Sequence, residues 1–262
     1  MAQSDPLYRR IAAELREAIR TGELPPGGKL PTEQELGRKY GVSRNTVRLS
    51  LAMLTNEGAI SSTPGLGTFV RDQAITTYHA SWAEDRDRNG NEKADAYIAE
   101  VAAQGRTASY RDFEMKVVAA TAELAERLQV EEGDSLALRG FVRLVDGEPS
   151  SLQDNYYALD IANECGLLRP HDLPKGTIRE MADHGYIEVG YIDELTTRMP
   201  TPDEARRLAM DSGAPVLVYA RTTFTKDRPL RLTKTTFAGD RNRVVYEIGD
   251  LTGYDREGTT SR

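Results

Sequence analysis

One cysteine stands in the whole chain, Cys165, so no internal disulfide can form and no cysteine-based zinc cluster can be built. It is expected to be a partly buried thiol. Long apolar runs are also lacking: nothing approaches the ~18–20 residues that span a bilayer. The opening stretch, MAQSDPLYRRIAAELREAI, has no apolar core of a secretory leader. A cytoplasmic protein with no membrane partner is therefore expected. The three histidines, His79, His171 and His184, have neither the spacing of a metal site nor that of a hydrolase motif, and no Walker-type glycine loop occurs. No metal, cofactor or catalytic residue is expected. The single tryptophan, Trp82, lies in a polar stretch and is expected to pack against a neighbouring domain or subunit.

Positive charge is scarce overall, with a formal net charge of −7. That balance argues against a nucleic-acid partner only until it is divided by region. Residues 1–75 carry ten Lys/Arg against eight Asp/Glu, net +2, and residues 76–262 carry 24 against 33, net −9. Phosphate attraction depends on the local field, which decays over about 10 Å at 0.1 M salt. The acidic remainder would help to keep its own domain off DNA.

What is present fits two domains, since 262 residues exceed the usual ~100–200 of one. Leu7, Ile11, Leu15 and Ile19 recur every four residues, predicting an amphipathic helix over Leu7–Arg20 that stops at Gly22. The prolines and glycines of Leu24–Pro31 form a turn-rich connection. Thr32 and Glu35 make a capping box for a short helix reaching Tyr40 and ended by Gly41. Ser43 caps a third helix from Arg44 to about Asn56, with Val47, Leu51 and Leu54 on one face and Arg44 and Arg48 one turn apart beside it. Ile60–Val70 reads as a hairpin around Pro64-Gly65-Leu66-Gly67. Two helices separated by Gly41-Val42 and followed by a hairpin are the parts of a winged helix-turn-helix.

Residues 72–104 are charged and polar, and read as a linker with a helical end at Ala94–Ala103. Beyond it an internal duplication appears at a constant offset of 80. Ala125, Leu128, Gly133, Leu136, Leu138 and Pro149 match Ala205, Leu208, Gly213, Val216, Val218 and Pro229. Each copy reads helix, glycine turn, strand, charged turn, strand, with hairpins at Asp146-Gly147 and Lys226-Asp227. The economical assembly is one antiparallel sheet with helices on one face. A further helix is expected at Pro170–His184 and a strand at Tyr186–Thr197, both in the second domain, 105–252, which leaves 253–262 as a flexible tail.

Four blocks, Leu30-Pro31-Thr32-Glu33-Gln34-Glu35-Leu36, Tyr40 to Arg48, Glu57-Gly58-Ala59-Ile60 and Gly65 to Val70, closely resemble the DNA-binding domain of GntR-family bacterial regulators. The strand ending Val142-Arg143-Leu144-Val145, the Asp146-Gly147-Glu148-Pro149 turn and Asp240-Arg241 resemble the UTRA sensing domain of the HutC branch, whose fold is similar to that of chorismate lyase. The resemblance implies an α+β chain, a winged helix-turn-helix in residues 1–71 and a chorismate-lyase-like UTRA domain. It implies contacts to double-stranded DNA from Thr32, Ser43, Arg44, Asn45, Thr46 and Arg48, and from Gly65, Gly67 and Thr68 of the wing. Arginine suits that role because its fork can donate two hydrogen bonds to guanine O6 and N7.

It further implies an effector pocket in which Arg143 holds an anionic group, with Gln153, Tyr156, Tyr191, Arg231 and Thr233 as companions. The chain departs from the family pattern in places. Gln34 stands where arginine is common, the wing lacks basic residues at Ser61-Ser62-Thr63 and Leu66, and Phe141 replaces a partner of Arg143. Gln153 and Arg231 stand at two acidic pocket positions. A narrower DNA contact set and a more acidic or apolar effector are expected. The mechanism so implied is a homodimer that sets two heads on an inverted repeat. Two other readings remain open at this point. One is a fixed dimeric repressor without effector, in which Arg143 and Arg231 only pair with carboxylates such as Asp146; the other is a chorismate-lyase-like enzyme.

Overall fold

The computed structural model describes residues 6–63, 65–71, 75–81, 96–170, 173, 176–210 and 213–249. Its internal contacts divide the chain into two compact units, one of residues 1–75, 193–220 and 234–241 and the other of residues 76–192, 221–233 and 242–262. Trp82, His171 and the tail 253–262 lie outside the described residues.

The amino-terminal part is built as its apolar spacing dictates. α1 (Leu7–Arg20) buries Ile11, Ala12 and Leu15. α2 (Glu33–Tyr40) opens on a reciprocal capping box, in which the Glu35 amide donates to Thr32 Oγ1 and the Thr32 amide donates to Glu35 Oε2 at 2.8 Å. The chain leaves α2 through Gly41 at φ 63°, a left-handed position that favours glycine. α3 (Arg44–Asn56) starts at Ser43, whose hydroxyl accepts from the Thr46 amide. The apolar faces of the three helices meet β1 (Ile60–Thr63) and β2 (Gly67–Val70) in one core of Ile11, Leu15, Leu36, Val47, Leu54, Ile60 and Val70. Each such side chain contributes about 1.5–3 kcal/mol by leaving water. β1 and β2 pair antiparallel from Ile60 opposite Val70 to Thr63 opposite Gly67. Every element expected in this region is present at the expected place.

The later elements are β3 (Thr76–His79), α4 (Ala96–Ala103), β4 (Ala108–Ala119), α5 (Ala122–Leu128), β5 (Ser135–Val145), β6 (Glu148–Ala158), α6 (Leu159–Glu164) and α7 (Thr177–Asp183). They are followed by β7 (Gly190–Arg198), α8 (Pro202–Arg207), β8 (Val216–Phe224), β9 (Pro229–Ala238) and β10 (Asn242–Val245). Six strands form one sheet in the order β4-β5-β6-β9-β8-β7. The order reads the same from both edges when 80 is added to each residue number, which is the duplication expressed as topology. The match extends to the backbone: Gln129 and Ala209 both adopt left-handed φ, 52° and 48°, after α5 and α8, and Thr121 and Thr201 cap those helices.

One face of β5 carries the odd-numbered residues from Ala137 to Val145, because successive side chains alternate across a strand. Tyr97 and Val101 of α4 cover Val145, and Ile161 and Ala162 of α6 pack with Ala137 and Tyr157. Cys165 is buried in the latter cluster, and burial pushes its thiol up to about 11.

Three expectations are amended. The polar stretch after the wing contains a strand, β3, which pairs parallel with β10. Its Thr-Thr-Tyr-His composition favours a pleated backbone, and the Gln104 side chain both accepts from the Thr77 amide and donates to the Thr77 carbonyl. α7 is shorter than expected, beginning at Thr177. β7 begins at Gly190 rather than Tyr186, because Tyr186 is tied by its hydroxyl to Glu164 at 2.7 Å.

Arg198 donates twice to Glu204, the third residue of the capping box of α8, and these bonds hold the Glu204 carboxyl down at about 2. A depressed folded value stabilises fully above the ordinary 4.5 and is lost as pH falls through about 2. Glu204→Gln should therefore cost ~1 kcal/mol at neutral pH, and the gap to the parent should close near pH 2. Urea titrations at the two pH values check this; an unchanged gap would contradict it.

Candidate nucleic-acid interface and effector seat

Capping sets the geometry of the first site. Because Thr32 and Ser43 fix where α2 and α3 begin, Glu33 at the start of α2 faces the first turn of α3. Its carboxylate lies 3.2 Å from Arg44 Nε and 3.3 Å from Arg48 Nε. Glu33, Arg44, Asn45 and Arg48 line one shallow depression on the surface. Both arginines are highly exposed, with 79% and 70% of their side-chain surface open. The exposed ion pairs are worth at most ~1 kcal/mol, so they orient the side chains without locking them.

Thr46 is half-buried, and its hydroxyl lies 2.9 Å from that of Ser43, while Thr32 Oγ1 donates to Glu35 at 2.8 Å. Gly65 at φ 80° turns the wing, and Ser62 and Thr68 hydroxyls meet across it at 3.0 Å. Lys29 was not foreseen here. It forms a bridge with Phe69, its ammonium stands 5.8 Å from the Phe69 ring, and a Cβ on Gly67 would meet its Cε at 2.7 Å. The connection before α2 thus supplies beside the wing a cation that the wing itself lacks. The missed signal is proximity across the fold, which sequence spacing does not carry.

The second site lies on the face of the sheet that holds Arg143. That residue is 8% exposed, and its guanidinium carbon stands 4.1 Å from the Tyr97 ring centre, 5.8 Å from Tyr78 and 6.0 Å from Phe141. Burial raises the Tyr97 hydroxyl above its ordinary value. Gln153 donates to Asn155 Oδ1 at 3.2 Å, and Thr233 donates to the same oxygen at 2.9 Å, so Gln153, Asn155 and Thr233 form one network. Arg231, which is buried, donates to half-buried Glu188 at 2.9 Å. Tyr191 lies under Arg221, whose guanidinium carbon is 3.9 Å from the ring centre.

Tyr156 is not brought to this face. It follows Gln153 by three residues in regularly paired β6, so the pleat turns it to the opposite side, where burial pushes its hydroxyl up to about 12. Asp146 does not pair with Arg143; it accepts from Arg106 at 2.7 Å. Sequence reasoning missed Arg139 and Arg221, each 3% exposed. Arg139 donates to the carbonyls of Leu167 and Arg169 at 2.6 and 2.8 Å. Arg139 shares strand parity with Arg143, and a charged residue at an inward position of a strand was the available signal. His79 accompanies Glu100 at 2.9 Å and His184 the Glu180 carbonyl at 2.8 Å. Among the described residues no grouping of His, Cys, Asp and Glu could hold a metal ion, and no helix is long and apolar enough to cross a membrane.

A winged head and a sheet domain with a polar buried face define a class, the two-part transcriptional regulators that join a DNA-reading head to a sensing domain. The family model for bacterial regulatory proteins of the gntR family matches residues 7–70, and that for the UTRA domain matches residues 103–243. The HTH-type transcriptional repressor NagR of Bacillus subtilis is 27% identical over 94% of this chain and 96% of its own. The histidine utilization repressor of Pseudomonas putida is 27% identical over 91% and 90%. A solved structure of a GntR-family transcriptional regulator shares the fold, with TM-score 0.60 and 24% identity over 94% of this chain and 98% of that one. The chain belongs to the GntR family, in its HutC branch with a UTRA domain. It is a DNA-binding transcriptional regulator whose second domain is of the effector-binding kind, and it is not an enzyme.

Three outcomes follow from the head. Arg48→Ala should cost ~1–3 kcal/mol on the preferred duplex, while Glu33→Gln should narrow the gap between preferred and random duplex by up to ~1 kcal/mol. Equal binding by Arg48→Ala in a gel shift would remove the assignment. Lys29→Ala should weaken all duplexes alike and lower the slope of log K against log salt by about 0.9; an unchanged slope would take Lys29 off the phosphates.

Proposed function

We propose that this regulator is a cytoplasmic homodimeric repressor that sets two winged heads on an inverted-repeat operator, its grip altered when an anionic small molecule occupies the UTRA domain. The observation that carries the reading is the convergence of Arg44 and Arg48 on Glu33, beside Asn45, in one open depression at the start of α3. Thr32, Ser43, Thr46, Gly65, Gly67 and Thr68 are the proposed backbone contacts, since caps and tight turns offer amides and hydroxyls to phosphate. Residues 1–71 form the proposed reading domain, 72–104 the linker, 105–252 the sensing and dimerising domain and 253–262 a tail.

For the effector, Arg143, Gln153, Arg231 and Thr233 are the proposed pocket residues, with Tyr191 at its margin. The density of buried guanidinium on this face supports an anionic ligand, because a bidentate fork suits carboxylate and phosphate. Relatives named as repressors support the sign of control.

Selection from random duplexes with the full chain tests the reading. It should enrich a two-fold repeat with half-sites about one helical turn apart. Enrichment of a single unrepeated site would contradict the dimeric arrangement, and no enrichment at all would contradict sequence reading by the head.

A further inference from the structure

We propose that Arg71 and Asp240 form a latch that holds the winged head at one angle to α8 and the adjoining ends of β8 and β9, and that this latch determines which spacing of two half-sites the regulator accepts. The inference rests on the dimeric reading above and deepens it, by naming residues that touch no base and yet select the operator.

Asp240 and Arg241 follow β9 in a turn that is held from several sides. The Gly239 amide donates to the Pro215 carbonyl at 3.1 Å, and a Cβ on Gly239 would meet that oxygen at 2.5 Å. Arg241 donates to the Leu208 carbonyl, at the end of α8, at 3.1 Å. The Asp240 carboxylate takes one guanidinium on each oxygen: Arg241 Nε stands 3.3 Å from Oδ1, and Arg71 donates to Oδ2. Arg71 comes from the head. It directly follows Val70, which is buried in the head core, and its amide donates to the Ala59 carbonyl at 3.0 Å. Head, α8 and turn all lie in one compact unit, that of residues 1–75, 193–220 and 234–241.

The side chains of Arg71 and Asp240 are only 15% and 13% exposed, so salt and water screen this pair far less than a surface pair. The duplication supplies a comparison. At the offset of 80, Asp240 corresponds to Asp160, which accepts from Arg228 at 2.8 Å with 62% of its side chain exposed. In the first copy the acid makes an open pair inside the sheet domain, and in the second it receives an arginine from the head and is covered with it.

One ion pair would leave the head free to pivot, and a second contact restrains it. Asn56, the last residue of α3, lies against Gly213 in the turn before β8, its Oδ1 4.0 Å from where a Cβ of Gly213 would stand. α3 is therefore held at its carboxyl end and presents Arg44 and Arg48, 79% and 70% exposed, at its amino end. At about 1.5 Å per residue, Arg44 lies about 18 Å from Asn56. A pivot of about 10° over that length moves Arg44 by about 3 Å, close to the rise of about 3.4 Å per base pair. Accepting one spacing and rejecting the next therefore requires a head angle fixed to within about 10°. The latch supplies that constraint at the end of the head remote from the reading face.

The test measures binding of the full chain to duplexes that carry two selected half-sites at the best spacing, or with one or two base pairs added or removed, and to a duplex with one half-site. The parent should prefer the best spacing over its nearest neighbours by about tenfold, an ordinary size for such a coupling. Asp240→Asn and Arg71→Gln should bring that ratio below about threefold, and Arg71→Lys should restore most of it. Discrimination between a selected and a scrambled half-site should stay as in the parent throughout. A spacing ratio unchanged in Asp240→Asn overturns the latch, and uniform weakening of every duplex by Arg71→Gln would then make Arg71 a phosphate contact instead. Loss of half-site discrimination in both variants also overturns it, by showing that the pair only keeps the head folded. A parent that gains nothing from the second half-site overturns the dimeric reading and the latch with it, whereas a spacing preference that the variants keep overturns the latch alone.

Discussion

A guanidinium cannot shed its charge at any pH a cell reaches, so every arginine that a fold places must be given acceptors, water or the face of a ring. This constraint organises both ends of the molecule. In the head, Arg44 and Arg48 stand in water and share one carboxylate, Glu33, which is enough to aim them and too weak to keep them. In the sheet domain, Arg139, Arg143, Arg221 and Arg231 are each less than one-tenth exposed, where the charge costs several kcal/mol unless neighbours compensate it. The neighbours differ in kind: carbonyls for Arg139, rings for Arg143, a ring and a carbonyl for Arg221, a carboxylate for Arg231. A set of buried cations held by such different means is costly for stability alone.

The duplication explains how a sheet domain came to offer a polar face at all. Two copies of a helix and hairpin, related by a shift of 80, meet at β6 and β9 in the centre of the sheet. The repeated scaffold is conservative where the backbone is constrained, at the threonine caps and the left-handed positions after α5 and α8. It diverges on the inward-facing positions of the strands, where Phe141 corresponds to Arg221 and Gln153 to Thr233. Scaffold and site thus changed under different constraints.

Much of this was legible from the chain. Caps, glycine stops and apolar spacing located α1 to α3 and the wing hairpin, because each of those signals acts within four residues. The offset of 80 foretold one sheet built from two helix-and-hairpin halves. Less legible was anything that depends on strand parity or on contact across the fold. Gln153 and Tyr156 were both expected in the pocket, yet an odd separation in a regular strand puts them on opposite faces. Glu33 was read as part of a motif and not as the partner of two arginines, since that role requires the angle between α2 and α3. β3 was hidden in a stretch whose polar composition suggested only a linker, and its pairing with β10 joins residues more than 160 positions apart.

The central claim is that arginine forks at the start of α3 read base edges, and a double-mutant cycle between protein and DNA tests it most directly. Each guanine of the selected operator is replaced in turn by 7-deazaguanine, which removes the N7 acceptor and nothing else of consequence. At one position per half-site the parent should lose ~1–3 kcal/mol, and Arg48→Ala or Arg44→Ala should lose nothing further there. Additive losses at every guanine would show that the arginines only neutralise phosphate, and would contradict the account.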